Sequence, residues 1–416
     1  MPSLNFRMFG LRSLAVVVVT AATLIASSGG AFAQGGGPGG RGGRGMWGGG
    51  GEGMLPPITS RQVDQYGKLV GFTPDQAEAA SALVEGYAQE AAIAGKTMRE
   101  AGEKMRESFR DGGMPDPAVF EKMQEAATKF RESRKQLDAA LLNDMKSLLT
   151  PEQEVKWPSV ERAHRRNSTL RWGRMSGERV DIADVVEKQA FADSVKQQVT
   201  PLLNQYEEEM DRELARRNEV YENAMEKMME LRRSGDMEAM QDMVEKGREA
   251  GKRVRDLNRS YFRQISDILP EDAKPAFEKA FRQESYPDIY RRGYSSRIVE
   301  SASGMADLTT EQKEKIAEIA ARYERETEPM NIKLAAAQEE SEEKFNLQDM
   351  MARGWRQEGP VADLRRERRE LDGKVIEEVK KILTEEQAAR LPERSEDETE
   401  GDRRRGRQGE ARRNQT

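Results

Sequence analysis

Apolar and small side chains recur along most of this chain at alternating steps of four and three, the period of a helix with one buried face. They fall at Tyr87, Ala91, Ala94, Met98, Ala101 and Met105, and again at Phe120, Met123, Ala127, Phe130, Leu137, Leu141 and Leu148. Between the runs, Asp111-Gly112-Gly113-Met114-Pro115-Asp116-Pro117 cannot continue a helix, because glycine costs backbone entropy and proline removes a donor. The pattern predicts two helices of roughly 35 residues, each about 50 Å long at 1.5 Å per residue, folded back on each other. A later segment repeats the design, going out through Ile316, Ile319, Tyr323, Met330 and Leu334 and returning through Leu364, Leu371, Val375, Val379 and Ile382, around a turn with Gly354, Gly359 and Pro360. A middle segment turns at Ser234-Gly235-Asp236 and returns through Met240, Val244, Val254, Leu257, Tyr261, Ile265 and Ile268. Gly247 and Gly251 interrupt that stripe. They either admit a close neighbour or weaken the helix by about 1 kcal/mol each relative to Ala, and the sequence leaves both open. The prolines cluster at boundaries, so the helical runs are expected to be unbroken.

The helix starts show that these segments are copies. Leu308-Thr309-Thr310-Glu311-Gln312, Phe72-Thr73-Pro74-Asp75-Gln76 and the more degraded Phe191-Ala192-Asp193-Ser194-Val195 share one spacing, and Tyr87, Tyr206 and Tyr323 each follow fourteen residues after the Thr or Ala. A closing copy of the motif begins at Thr150 and at Thr384, with Pro270 at the matching place in the middle unit. The connecting segments repeat as well, Val160 to Arg165 matching Phe277 to Arg282. A module repeated three times in this way implies a function that a helical module can perform. The expected fold class is all-α: three tandem long antiparallel helical hairpins, coiled-coil-like, with disordered N- and C-terminal tails.

Composition and chain ends narrow the function. Residues 1–33 read as an export signal, with Arg7 and Arg12 ahead of the apolar run Leu14 to Ala26 and small residues at Ala31 and Ala33. That run is too short to span a bilayer and no later one is long enough, so a protein that does not cross the membrane, periplasmic or secreted, is expected. The chain has no cysteine, which excludes disulfides and thiolate metal sites. Its formal charge of −6, lower by two once the signal is removed, argues against nucleic acid as a partner. Charged residues at 34% against 6% aromatic suit long exposed helices better than one thick core. The expected layout is a signal peptide at 1–33, a Gly-rich flexible leader at 34–59, hairpins at 60–156, 191–274 and 308–392, helical connectors at 157–190 and 275–307, and a disordered charged tail at 393–416.

Thr at a helix N-cap accepts from the backbone N–H three residues on, and Gln at that third position reaches back to the Thr backbone. This reciprocal box explains Thr73 with Gln76, Thr150 with Gln153, Thr309 with Gln312 and Thr384 with Gln387 as helix starts without a ligand. Leu149-Thr150-Pro151-Glu152-Gln153, Leu308-Thr309-Thr310-Glu311-Gln312 and Leu383-Thr384-Glu385-Glu386-Gln387, after a signal peptide and bracketing charged helices, resemble the LTxxQ motifs of the Spy/CpxP family of bacterial envelope proteins. The resemblance implies a periplasmic helical hairpin that acts as an ATP-independent chaperone, restrains a stress-sensing kinase, or senses metals. It covers the motifs of the first and third units and only the helix pattern of the second. Three hairpins stand here where the family usually has one.

Three groups of side chains are candidates for chemistry. The connectors interleave cations with aromatics, giving Arg165, Arg166 and Trp172 in the first and Tyr290, Arg291, Arg292 and Tyr294 in the second as a client- or partner-binding surface. Interhelical packing of Arg on aromatics is the competing explanation. Met237, Met240 and Met243, with Met225, Met228 and Met229 across the middle turn, offer soft thioether sulfur suited to Cu(I), or else fill an irregular helix tip. His164 is the only histidine, and Phe281 takes its place in the next connector, which favours a half-buried packing slot. No nucleophile-base arrangement or phosphate loop can be assembled, so neither an enzyme nor a cofactor is expected. The expected activity is binding of unfolded or envelope polypeptides, or of a sensor kinase, with homo-oligomers possible in principle; a Met-based metal sensor and a structural coiled-coil spacer are the alternatives.

Overall fold

The computed structural model describes residues 57–110, 117–347 and 359–394, all of them within one compact unit. The signal sequence, nearly all of the leader, the first and most of the third hairpin turn, and all but the first two residues of the tail lie outside these residues. Among those described, every regular element is a helix. Three long antiparallel pairs form the frame: α2 (Pro74–Arg110) with α3 (Pro117–Ser147), α7 (Asp193–Ser234) with α8 (Met237–Ile268), and α12 (Thr310–Glu343) with α13 (Pro360–Ile382). The middle turn is the one expected: Gly235 takes φ +68 to end α7, and Asp236 caps α8. Pro201 and Pro329, however, lie inside α7 and α12 and do not end them. Both rings face solvent, and the carbonyls they deprive of a donor belong to the exposed residues Gln197 and Arg325, where water can serve them.

A short helix lies across the base of each hairpin: α1 (Ser60–Val70), α6 (Ile182–Glu187) and α11 (Tyr294–Ser303). The core concentrates there, because a third helix covers the apolar stripe that two arms alone leave open. The repeated tyrosine joins the layers. Tyr87 and Tyr206 hydroxyls accept from the Ile58 and Ile182 backbone N–H at 2.9 and 3.1 Å, and Tyr323 bonds the Ser295 hydroxyl at 2.6 Å. Each also donates to the return arm, to Asp138 (2.5 Å), Asn258 (3.0 Å) and Asp372 (2.6 Å), always twelve residues before the closing motif. In hairpins one and three an arginine four residues earlier completes the brace: Arg134 pairs with Asp138 and Arg368 with Asp372, each guanidinium over the tyrosine ring at 5.2 and 5.1 Å. Burial, reinforced by Asp372, pushes the Tyr323 hydroxyl up to about 12, so it remains a donor. Ile58 is buried and Thr59 caps α1 through Gln62, which moves these residues from the leader into the fold.

The motif does more than cap. All four Thr-Gln pairs form the expected reciprocal box. The two glutamines of a hairpin also face each other across its base. Gln76 and Gln153 exchange amide hydrogen bonds at 2.8 and 3.0 Å, and Gln312 donates to Gln387 at 2.9 Å. Gln76 and Gln312 further donate to the Leu148 and Ile382 carbonyls, and Gln153 and Gln387 to those of Gly71 and Asp307. The long spacing between opening and closing motifs is therefore the length of chain that returns one glutamine to the other. In the middle hairpin Val195 and Ala273 stand at these positions and pack into the base core. Gln387→Ala removes the box, the clasp and the bond to Asp307, and is expected to cost about 2 kcal/mol against about 1 for Thr384→Ala. Urea midpoints of the two variants check this; equal losses would leave the clasp without a contribution.

The middle hairpin is flanked by both neighbours. On one side lies α5 (Trp157–Thr169), which follows the one-turn α4 (Pro151–Glu154) and packs on α7. On the other, the end of α12 runs antiparallel to α8, pairing Glu339 with Arg259 and Glu343 with Arg255, after which Leu347 N–H donates to Gln241 at 2.9 Å.

Candidate binding surface at the connectors

The first connector is helical only in part. After α5 comes one 3-10 turn (Leu170–Trp172), and residues 173–181 are irregular before α6. Its cations are engaged internally. Arg166, 4% exposed, pairs with Asp181 at 2.6 Å and Glu207 at 3.0 Å, joining the connector to α7. Burial opposes its charge, but Asp181 and Glu207 outweigh that and hold its pKa above the ordinary arginine value. Arg165, half-exposed, is neutralised by Asp211 at 2.7 Å. Trp172 is half-buried. Arg166 is thus corrected from a client-facing cation to an interior strut. Packing, the competing explanation, accounts for it: the buried guanidinium is met by Asp181 of its own connector and Glu207 of α7, which offset the cost of taking it out of water.

Deeper in the connector lies a charge pair that no motif announces. Glu178 and Arg217 are both 0% exposed and bond at 3.0 Å. Glu178 also accepts from the Arg174 and Met175 backbone N–H at 2.6 and 3.0 Å and from the Tyr221 hydroxyl at 3.3 Å, while Arg217 donates to the Thr169 carbonyl. The fit explains Gly251: a Cβ there would stand 2.8 Å from a Glu178 oxygen, whereas one on Gly247 would meet only the Tyr221 ring at 3.6 Å. Glu342 reaches the same loop from α12, accepting from Ser176 N–H and hydroxyl at 2.9 and 2.7 Å. The loop therefore welds the middle and third hairpins together.

The second connector differs. It comprises α9 (Lys274–Ser285), the single turn α10 (Pro287–Tyr290) and the bend into α11. Tyr290 is half-buried with Tyr286 against Ile289 and Leu334. Arg291 and Arg292 follow on the exposed bend. Arg292 approaches Glu300 at 3.2 Å, with both side chains more than half exposed, a pairing worth little in water. Tyr294 is half-buried, with Arg297 and Arg394 over its ring at 5.8 and 5.0 Å. These four candidates share one bend; Arg165, Arg166 and Trp172 stand on other elements.

His164 occupies the packing slot expected of it, half-buried, with Nδ1 3.3 Å from the Tyr66 hydroxyl and its ring edge-on to Tyr66 at 6.2 Å. Burial lowers its pKa, so it is neutral at pH 7. Phe281, its counterpart, stacks on Phe262 at 4.0 Å. Met243 is buried in the middle hairpin while Met237 and Met240 are half-buried, so the three do not present one open face. The side chains of Met225, Met228 and Met229 lie outside those described. The tyrosine brace went unrecognised from sequence, although the acid or amide twelve residues before each closing motif is a legible signal. Glu178 and Arg217 have no such signal, since they sit at unrepeated positions. Against known proteins, no family model, no curated protein and no solved structure matches this chain, so its likeness to the Spy/CpxP pattern stands on the quoted residues alone.

Proposed function

We propose that the chain is an exported envelope protein that binds unfolded or partner polypeptides, as an ATP-independent chaperone or a modulator of a stress response. The observation that carries this reading is the second connector, where exposed Arg291 and Arg292 border half-buried Tyr290 and Tyr294 on the bend between α10 and α11. Cations on an acidic body attract acidic segments of a non-native chain, and the aromatic floor then offers apolar and stacking contact. Binding of this kind is weak and reversible, as a holdase requires, and needs no nucleotide.

Suppression of client aggregation by the mature protein tests the proposal. Arg291→Gln with Arg292→Gln should weaken client binding by about fivefold, roughly 1 kcal/mol, and reduce its salt dependence with helix content unchanged. Arg165→Gln should change it little, because Asp211 already occupies that guanidinium. Full protection by the double variant at both low and high salt would rule this surface out.

A further inference from the structure

Internal repetition lets each hairpin serve as a control for the others. In hairpin three, a groove of about 300 Å³ opens between α12 and α13. Ile319 and Ile382 form its floor, while Lys315, Glu318 and Arg322 line one wall and Glu378 and Lys381 the other. Arg322 reaches across to Glu378, so charge closes the apolar floor. Counting from the opening Thr, the same places in α2 are Ala79, Ala82, Leu83 and Gly86; counting from the closing Thr, Asp144, Ser147 and Leu148 match Glu378, Lys381 and Ile382. The floor is kept, the α12 wall loses its charge altogether, and of the facing wall only the acid remains, as Asp144. Where Arg322 stands in hairpin three, Gly86 is exposed, with nothing within 4 Å of where its Cβ would be. One further heptad along the same face is Ile93, a large aliphatic side chain that is 73% exposed. The stripe from Ala79 to Ile93 is about 21 Å long at 1.5 Å per residue, with Glu90 on the same face between Gly86 and Ile93.

On α2 the rim is charged with one sign only. Between Lys68 and Lys96 no Lys or Arg occurs, whereas the exposed Asp75, Glu78 and Glu85 lie within one turn of the stripe and the exposed Glu90 lies on it. We propose that this face of hairpin one docks a cationic amphipathic helix of another polypeptide. The small side chains admit a helix closely, Leu83, Leu148 and Ile93 receive its apolar face, and the acids attract flanking Lys or Arg. A second copy of this chain fits less well, because its own matching face carries the same acids and would repel. The inference rests on the reading that this protein acts by binding polypeptides, and assigns to it a second surface of opposite charge.

The test uses the mature protein and a fluorescent Leu/Lys helical peptide, apolar on one face, with a Leu/Glu peptide of the same pattern as control. Anisotropy should show binding of the Lys peptide, weakening with salt, and none of the Glu peptide. Gly86→Arg, which installs the residue hairpin three carries, should weaken binding by about tenfold or more, ~1.4 kcal/mol. Ile93→Glu is a second variant that leaves Gly86 in place and should do the same, with both melting as the parent does. Equal binding of the two peptides, unchanged affinity in both variants, or concentration-dependent self-association that the variants abolish would overturn the proposal, the last by giving the face to a second copy. Aggregation suppression measured in parallel separates the readings: Gly86→Arg with lost peptide binding and intact suppression leaves both standing, while loss of suppression through Arg291 and Arg292 is independent of this face.

Discussion

Arg217→Met should destabilise the protein by about 3–5 kcal/mol, the usual loss when one member of a fully buried ion pair is removed. The loss arises from what remains: Glu178, 0% exposed, would be left buried beside Gly251 with no cation to meet it. Its bonds to the Arg174 and Met175 N–H would persist and hold the carboxylate in place. Glu178→Gln added to Arg217→Met should recover a substantial part of the loss, because glutamine removes the charge and still offers an acceptor to those N–H groups. Urea unfolding with unchanged slope is the measurement. A single-variant loss below about 1 kcal/mol would mean that water reaches the pair and that the connector loop is not sealed.

The second large effect concerns the two glycines of α8 and has opposite signs at two positions one turn apart. Helix propensity alone predicts that Ala in place of either stabilises by up to about 1 kcal/mol. Gly247→Ala should do so, since its Cβ would make an ordinary contact with Tyr221 at 3.6 Å. Gly251→Ala should instead destabilise by about 1–3 kcal/mol, the cost of overpacking, because the added carbon would meet Glu178 oxygens at 2.8 and 3.3 Å that are tied by four donors. Thermal melts of the two variants decide it. Stabilisation by both would show that Glu178 has room to move and that its network is looser than its burial implies.

The middle hairpin departs most from the repeat, and both effects fall there. Hairpins one and three hold their bases with paired glutamines and a Tyr-Asp-Arg brace; the middle one has Val195 and Ala273 in place of the clasp, Asn258 for the aspartate and Val254 for the arginine. Its charges lie instead where neighbours attach, in Arg166 with Glu207, Arg217 with Glu178 and Arg255 with Glu343. A hairpin flanked by a connector on one side and by α12 on the other can use apolar packing at its own base and polar contacts at its sides, because the sides are partly shielded from water.

Local rules were enough for the sequence to determine the helices, the middle turn at Gly235, the reciprocal Thr-Gln boxes and the threefold repeat. The helices, the turn and the boxes each depend on residues within a turn or two of one another, where periodicity and capping chemistry act directly, and the repeat is the same local signal recurring along the chain. The candidate surface was legible only by composition, and composition does not say which cations meet water. Arg165, Arg166, Arg291 and Arg292 look alike as dipeptides in two related connectors, yet Arg166 is an interior strut and Arg291 is exposed. Tertiary structure decided that difference, because the acids that claim Arg165 and Arg166, Asp211 and Glu207, come from a helix more than forty residues away. It likewise decided that Gly251 makes room for Glu178 and that Gln76 meets Gln153. Contacts between distant segments depend on how helices cross, and a helical period specifies which face is apolar without specifying what lies against it.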